Sequence, residues 1–314
     1  MDSSILITQG LIPFSLLLWQ AYSRSQSLLG WLLKTLMVAG YLGAVTLIGL
    51  WAVLLPWWTP YFYWAVWGVL AILTLLDARR QSRWPKRNAW ILSRVFGCGL
   101  LTGLFWAVTL QAALGYRLPA AAPISLTFPL KNGTYYVANG GSNLLVNAHL
   151  ETLAAAKARD YRGQSYGIDL TKLNPFGVRS PGILPKDLIN YEIYGQAVYA
   201  PCGGSVIATA NDLPDLIPPQ ADSVHREGNH VLLRCETADV LLAHLQQSSV
   251  KVAPGQPVTV GQPLGNVGNS GSTSEPHLHI HAQRPGSAAA PLDGDPLPIL
   301  FGDRYLVRNA RMTA

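Results

Sequence analysis

A bundle of about four apolar helices followed by a mainly antiparallel β domain is the fold class this sequence predicts, on three observations. Composition and hydropathy change sharply near residue 118 of 314. Before that point, four apolar stretches approach the roughly 20 residues that span a bilayer as helix. After it, short apolar and β-branched runs alternate with Gly, Pro, Asn and Asp clusters, as strands and their turns do. The expected domains are 1–118, a transmembrane anchor, and 119–314, a β-rich domain.

The apolar stretches cover about residues 5–19, 35–57, 61–76 and 95–114. The first holds Gln9 and Pro13 and has no basic residue ahead of it, which argues against a cleaved signal peptide. Between the third and fourth, residues 77–87 carry the five cations Arg79, Arg80, Arg83, Lys86 and Arg87. The positive-inside rule places that loop in the cytoplasm, and Arg24 and Lys34 put the connection between the first two stretches on the same side. Both ends of the chain then lie outside the cytoplasm. The expectation is a multi-pass protein of the cytoplasmic (inner) membrane with its C-terminal domain extracytoplasmic. Trp57, Trp58, Tyr61, Tyr63 and Trp64 stand where an aromatic belt at the outer interface belongs.

Nine Lys and Arg face two acids before residue 118, and 14 face 15 after it, so the net charge of +6 belongs to the membrane half. That origin argues against nucleic-acid binding, which needs cations clustered on a folded surface; the partner it implies is the lipid bilayer. The apolar stretches hold too few ionisable groups to mark a proton relay or ion pathway, and they read as an anchor.

In the second half, strand candidates are 135–138, 144–147, 166–170, 197–200, 205–209, 230–235, 240–245, 263–267 and 277–282, with only 150–158 helical in pattern. Residues 213–227, with Pro214, Pro218 and Pro219, make a long loop and a candidate wall of a cleft. Cys98 falls in the fourth apolar stretch and reads as a packing residue. Cys202 and Cys235 stand at strand ends in the extracytoplasmic half, where an oxidising compartment permits a disulfide. Two buried thiols remain the other reading, and no CxxC spacing supports a zinc–thiolate site.

All seven histidines lie at or beyond His149. Three of them occupy alternate positions of Pro276-His277-Leu278-His279-Ile280-His281, so on a strand their rings share one face while Leu278 and Ile280 pack on the other. Imidazole is the commonest protein ligand for zinc. His225 and His230 read as loop and strand-end residues without chemistry. Gly265, Gly268 and Gly271 read as turn residues, since no helix follows them as a phosphate loop would require.

The segment from Gly228 to Gln283 carries a more specific signal. It contains Gly228-Asn229-His230-Val231-Leu232-Leu233, Leu242-Ala243-His244-Leu245, Val252-Ala253-Pro254-Gly255-Gln256-Pro257-Val258, the glycine-rich residues 261–271, and Pro276-His277-Leu278-His279. In that order and spacing it resembles the lysostaphin-type (LytM-like) zinc metalloendopeptidases, which cut peptide crosslinks of peptidoglycan. Val198-Tyr199-Ala200-Pro201, Gly204-Ser205-Val206 and Gly167-Ile168-Asp169 add to the likeness, which covers about residues 128–285. The resemblance implies a β domain of lysostaphin/LytM type, a zinc ion and a peptidoglycan peptide as substrate.

The family holds zinc with a His and an Asp of an HxGxD-like element and the second His of an HxH strand. Asp169 and His279 match two of these positions. Where the first ligand belongs, this chain has Ser165, which is not an ordinary zinc ligand. His149, twenty residues before Asp169, is the expected replacement, brought to its partner across neighbouring strands. His244 and His277 match the family's two non-ligand histidines, implying a general base and a group that stabilises the oxyanion or protonates the leaving amine. His281 stands where the family often carries an acid, and reads either as an outer partner of a ligand or as a packing residue. Two rivals stay open. One is an inactive relative that binds peptidoglycan or activates another hydrolase, which Ser165 favours; the other is a different zinc chemistry in which His277, His279 and His281 all contact one metal.

Overall fold

The computed structural model of the chain describes residues 3–287 and 292–314, and its contacts divide it into two units, Met1–Leu114 and Gly115–Ala314. In the first, α1 (Ser3–Ile5) runs through a π-helical stretch, Leu6–Leu11, into α2 (Ile12–Tyr22); α3 (Leu28–Ile48), α4 (Thr59–Ala78) and α5 (Ala89–Leu114) follow. Among the described residues only α3, α4 and α5 are long and apolar enough to cross a membrane. Three candidate spans roughly match the about four helices that the sequence suggests; the N-terminal helical segment, divided by its π-helical stretch, is the one not among them.

The boundaries of α3 also differ from expectation. It starts at Leu28 because the Ser27 side chain caps it, Oγ accepting from the Gly30 amide at 3.1 Å. Lys34 is consequently a buried residue inside the helix rather than part of a connecting loop. Against α5 the helix presents Gly40 and Gly43, whose missing side chains admit Trp106 and Thr109. Thr109 Oγ1 donates to the Gly40 carbonyl at 2.8 Å and Trp106 Nε1 to that of Leu36 at 3.0 Å, the small-residue approach with polar ties that helices use in lipid.

The second unit is built on strands. They are β1 (Ile124–Leu126), β2 (Thr134–Asn139), β3 (Ile168–Leu173), β4 (Ala197–Tyr199), β5 (Gly204–Ala210), β6 (Asn229–Arg234), β7 (Asp239–Leu245), β8 (Pro257–Val258), β9 (Pro263–Asn266), β10 (Leu278–Gln283), β11 (Pro296–Leu297), β12 (Ile299–Phe301), β13 (Arg304–Tyr305) and β14 (Arg311–Thr313). The main sheet has nine strands in the order β14-β2-β3-β10-β7-β6-β5-β8, with β11 beside β10, and its pairings are antiparallel. A small sheet, β1-β12-β13, and the pair β4-β9 complete it. Alternation assigns the faces: Ile168, Leu170, Val240, Leu242, Leu278 and Ile280 join one hydrophobic core, leaving Asp169, His279 and His281 on the opposite side.

Two local expectations fail for identifiable reasons. Residues 144–147 form turns instead of a strand, because the Asn143 carbonyl accepts from the amides of Val146 and Asn147 while its Oδ1 accepts from Leu145. The 150–158 helix shortens to α6 (Glu151–Ala154) between 3-10 stretches, Ala148–Leu150 and Ala156–Tyr166. Cys202 and Cys235 are disulfide-bonded, with Cα atoms 6.0 Å apart.

Candidate metal centre and its cleft

Central strands of the sheet assemble the site. The register of β3 against β10 sets Asp169 directly opposite His279, and Asp169 Oδ1 lies 2.9 Å from His279 Nδ1. Gly167 makes the close approach possible, since a Cβ there would stand 2.6 Å from His279 Cε1. His149 arrives on the 3-10 turn Ala148–Leu150 rather than across a strand hairpin, and its Nε2 lies 3.5 Å from Asp169 Oδ2. His149, Asp169 and His279 each offer one ligand atom, and these atoms all lie within 4.8 Å of one another.

The orientation of each group is fixed from behind. Asn147 is fully buried, and its Nδ2 faces the carbonyls of Gly141, Ser165 and Gly167. Its Oδ1 must therefore accept from His149 Nδ1 at 2.9 Å, which turns the lone pair of His149 Nε2 toward Asp169. Asn139 Nδ2 donates to Asp169 Oδ2 at 2.9 Å, and Arg308 Nη2 donates to Asn139 Oδ1 at 2.5 Å. His279 Nε2 meets His281 Nδ1 at 3.0 Å. His281 thus touches a candidate ligand and is not among the three residues, His149, Asp169 and His279, whose ligand atoms converge.

Ser165 is fully buried and takes no part: its hydroxyl donates to the Arg162 carbonyl at 2.7 Å and pairs with Thr152 Oγ1 at 2.9 Å. Thr152 in turn donates to the His149 carbonyl, so the serine braces the turn that carries His149.

His244 reaches the site by breaking the rhythm of its strand. Simple alternation would send it into the core with Val240 and Leu242. A bulge between the Asn229↔Leu245 and Val231↔Leu242 pairs, with His244 at φ 62°, turns its ring onto the site face and leaves Leu245 in the core. Left-handed backbone at a non-glycine costs about 1–2 kcal/mol. His244 Nδ1 donates to the Ser270 carbonyl at 2.9 Å, and His277 Nδ1 to that of Glu275 at 2.9 Å. Both Nε2 atoms are left for the cleft; the two ring centroids are 4.7 Å apart, and His277 Nε2 is 3.6 Å from Asp169 Oδ1. Glu275 is itself anchored by the buried Arg179 through contacts of 2.7 and 2.5 Å.

Burial sets the electrostatics. It pushes His149 down to about 4, against the pull of Asp169, and holds His244 and His281 well below the ordinary imidazole value. Burial works against ionising Asp169, yet the imidazoles of His149, His277 and His279 hold it well below the carboxylate range. Near neutral pH the site thus combines neutral His149, His244 and His281 with one carboxylate. A cleft of about 300 Å³ opens over it, with Tyr161 and Gln164 on one side and Arg226 and Glu227, from the end of the 213–227 loop, on the other. The Arg226 guanidinium sits 4.8 Å from the Tyr161 ring. His225 pairs with Asp222 and His230 with the Gly228 carbonyl, away from the ligand group.

Sequence reasoning missed Asn139, Asn147, Arg179 and Arg308. Only Asn147, two residues before His149, had a local signal.

Residues 188–291 match Peptidase family M23, in accord with the resemblance carried by the motifs. The match includes His244, His277 and His279, whereas His149 and Asp169 precede it. Comparison with curated proteins gave no match. Among solved structures, the chain is similar to lysostaphin at 21% identity over 40% of this chain and 39% of that one, TM-score 0.26. It is similar to a zinc-containing peptidase from Vibrio cholerae at 16% identity over 42% and 48%, TM-score 0.24. A chain of the SpoIIQ–SpoIIIAH pore-forming complex matches at 20% identity over 55% and 92%, TM-score 0.31. The chain spans less than half the length of the first two.

Proposed function

We propose that this protein is a membrane-anchored zinc metallopeptidase that hydrolyses peptide crosslinks of bacterial peptidoglycan, with its β unit outside the cytoplasm. One observation carries the reading: two imidazoles and a carboxylate converge in a cleft with their ligand atoms within 4.8 Å of one another. That donor set suits zinc in a hydrolytic site, where three protein ligands leave a fourth position open. His149, Asp169 and His279 would hold the ion. Bound there, zinc supplies Lewis acidity, lowering the pKa of a water and polarising the scissile carbonyl.

The other residues serve the proton traffic. His244 and His277 present their Nε2 atoms to the cleft, each ring held by an Nδ1–H bond to a carbonyl. An imidazole so held takes a proton at Nε2, and as imidazolium it donates from the same atom to an oxyanion or a departing amine. Keeping His244 neutral by burial leaves it competent as the acceptor.

Location is supported by two independent features. The α4–α5 connection bears the five cations and is assigned to the cytoplasm; α5 then carries the chain across, whether or not α2 spans. The Cys202–Cys235 disulfide suits an oxidising compartment.

The test is the zinc content of the full chain purified in neutral detergent, followed by digestion of purified peptidoglycan. About one zinc per chain is expected, lost in His149→Ala and in Asp169→Ala, with peptide cleavage abolished by a chelator and restored by zinc. A wild-type chain that stays metal-free at saturating zinc would move the reading to the inactive, peptidoglycan-binding or activating role.

A further inference from the structure

The cations of the helical unit are not all dispersed in solvent. Residues 23–27, between α2 and α3, pass over the side chain of Lys34, which is only 4% exposed. Its Nζ donates to the carbonyls of Ser23 at 2.6 Å and Gln20 at 3.4 Å and meets Ser23 Oγ at 3.3 Å. These acceptors lie at the C-terminal end of α2, where a lysine is a natural cap. They are uncharged, however, and among the described residues of this unit no carboxylate lies within ion-pair distance of Lys34, Arg24 or Arg94.

Two cavities share Lys34 as a common wall. One, of about 60 Å³, is bounded by Arg24, Lys34 and Arg94 together with Ser25, Gln26 and Ser27. It has room for several waters or one compact tetrahedral anion. Ile91, Val95 and Cys98 line the same cavity; spaced four and three residues apart, they form one apolar stripe along α5. The second cavity, about 300 Å³, opens beside Arg24, Lys34 and Arg80 and holds a carboxylate of its own, Asp77, which the smaller cavity lacks. Lys34 is buried while Arg24 and Arg94 are exposed at the rim; three cations around one small space repel one another, and an anion seated among them relieves that repulsion, most of all for the buried lysine.

We propose that the smaller cavity is a binding site for a phosphate group, with the Arg24 and Arg94 guanidinium groups as planar donors and Lys34 as the buried point charge beneath. The apolar stripe on α5 fits an acyl-bearing phosphate, as anionic lipids present it at the basic end of a membrane bundle. The proposal rests on reading this unit as a membrane anchor. That reading would fail separately, by the chain remaining in the aqueous phase without detergent.

All ten tryptophans lie in the helical unit, so tryptophan fluorescence follows its thermal unfolding without a contribution from the β unit. The full chain in neutral detergent is titrated with dioleoylphosphatidylglycerol, dioleoylphosphatidic acid, dioleoylphosphatidylcholine or inorganic phosphate. The anionic lipids are expected to raise the midpoint above that in phosphatidylcholine. Arg24→Gln and Arg94→Gln should each weaken half-saturation about tenfold, whereas the control Arg83→Gln/Arg87→Gln, on the same basic end and outside the cavity, should stay within about twofold. A shift with inorganic phosphate as well supports the site with free phosphate as a source; no such shift supports the lipid source. The proposal is overturned if phosphatidylcholine stabilises as much as the anionic lipids, or if the control loses as much as the site variants, which is the behaviour of a diffuse field.

Discussion

Asp169 shows how much of a candidate metal centre is set by atoms outside its ligand group. One of its oxygens faces His279, while the other takes a hydrogen bond from Asn139, whose amide is oriented by Arg308. Arg308 is 9% exposed and enters from the C-terminal tail. Such outer partners typically account for 10–100-fold in metal affinity. Asn139→Asp separates this role from simple packing. The new carboxylate would pair with the Arg308 guanidinium and keep the fold, but it offers Asp169 repulsion in place of a donor. Zinc affinity, measured by competition with a chelator, should fall about 10–100-fold with the thermal midpoint unchanged or raised; an unchanged affinity would show that Asn139 is only a packing residue. That Asp169, His279, His244 and His277 would line one cleft was legible from motif order, and the approach of His149 to them from the misfit at Ser165. Asn139 and Arg308 were not, because they are 169 residues apart in sequence and meet only when the tail returns along β2.

Among the elements, legibility followed length and alternation. β10 announced itself through its alternating imidazoles, and β5, β6 and β7 through short apolar runs bounded by turn residues. The tail strands β11 to β14 span two or three residues each, too short for any period to register. The bulge that aims His244 was equally hidden, since it depends on the pairing of β6 with β7 rather than on local composition. Cys202 and Cys235 left two readings open in the sequence, and the fold decides between them by bringing the turn before β5 to the end of β6. Their sequence separation of 33 sets the chain entropy removed from the unfolded state. Cys202→Ser/Cys235→Ser should therefore lower unfolding stability by about 3–4 kcal/mol. Denaturant unfolding followed on the β unit, beside zinc content, checks it. Because neither cysteine lines the cleft, zinc content should remain that of the parent chain; a variant equally stable would mean that the unfolded chain is already restrained there.

At the scale of the whole molecule, the sidedness of the β unit depends on parity, and parity counted from the cytoplasmic loop is insensitive to the weakest element. Counted from the N-terminus, one crossing more or fewer at α2 reverses the side. Counted from the cations between α4 and α5, the proposed cytoplasmic placement of that loop needs only a single crossing by α5 to put the β unit outside. In the proposed arrangement the helical half, with nine cations and two acids before residue 118, carries the orienting charge, and the near-neutral β unit carries the candidate site. This division predicts an asymmetric labelling pattern. In a Cys98→Ser background, single cysteines are placed at two exposed positions, Lys86→Cys in the basic loop and Asp303→Cys in the β unit. A membrane-impermeant maleimide applied to intact cells in which the outer layers have been made permeable should label the Asp303 variant alone. The Lys86 variant should react only after the cytoplasmic membrane is lysed. The reverse pattern would put the cleft in the cytoplasm, away from peptidoglycan, and would remove the substrate from the reading while leaving the metal centre untouched.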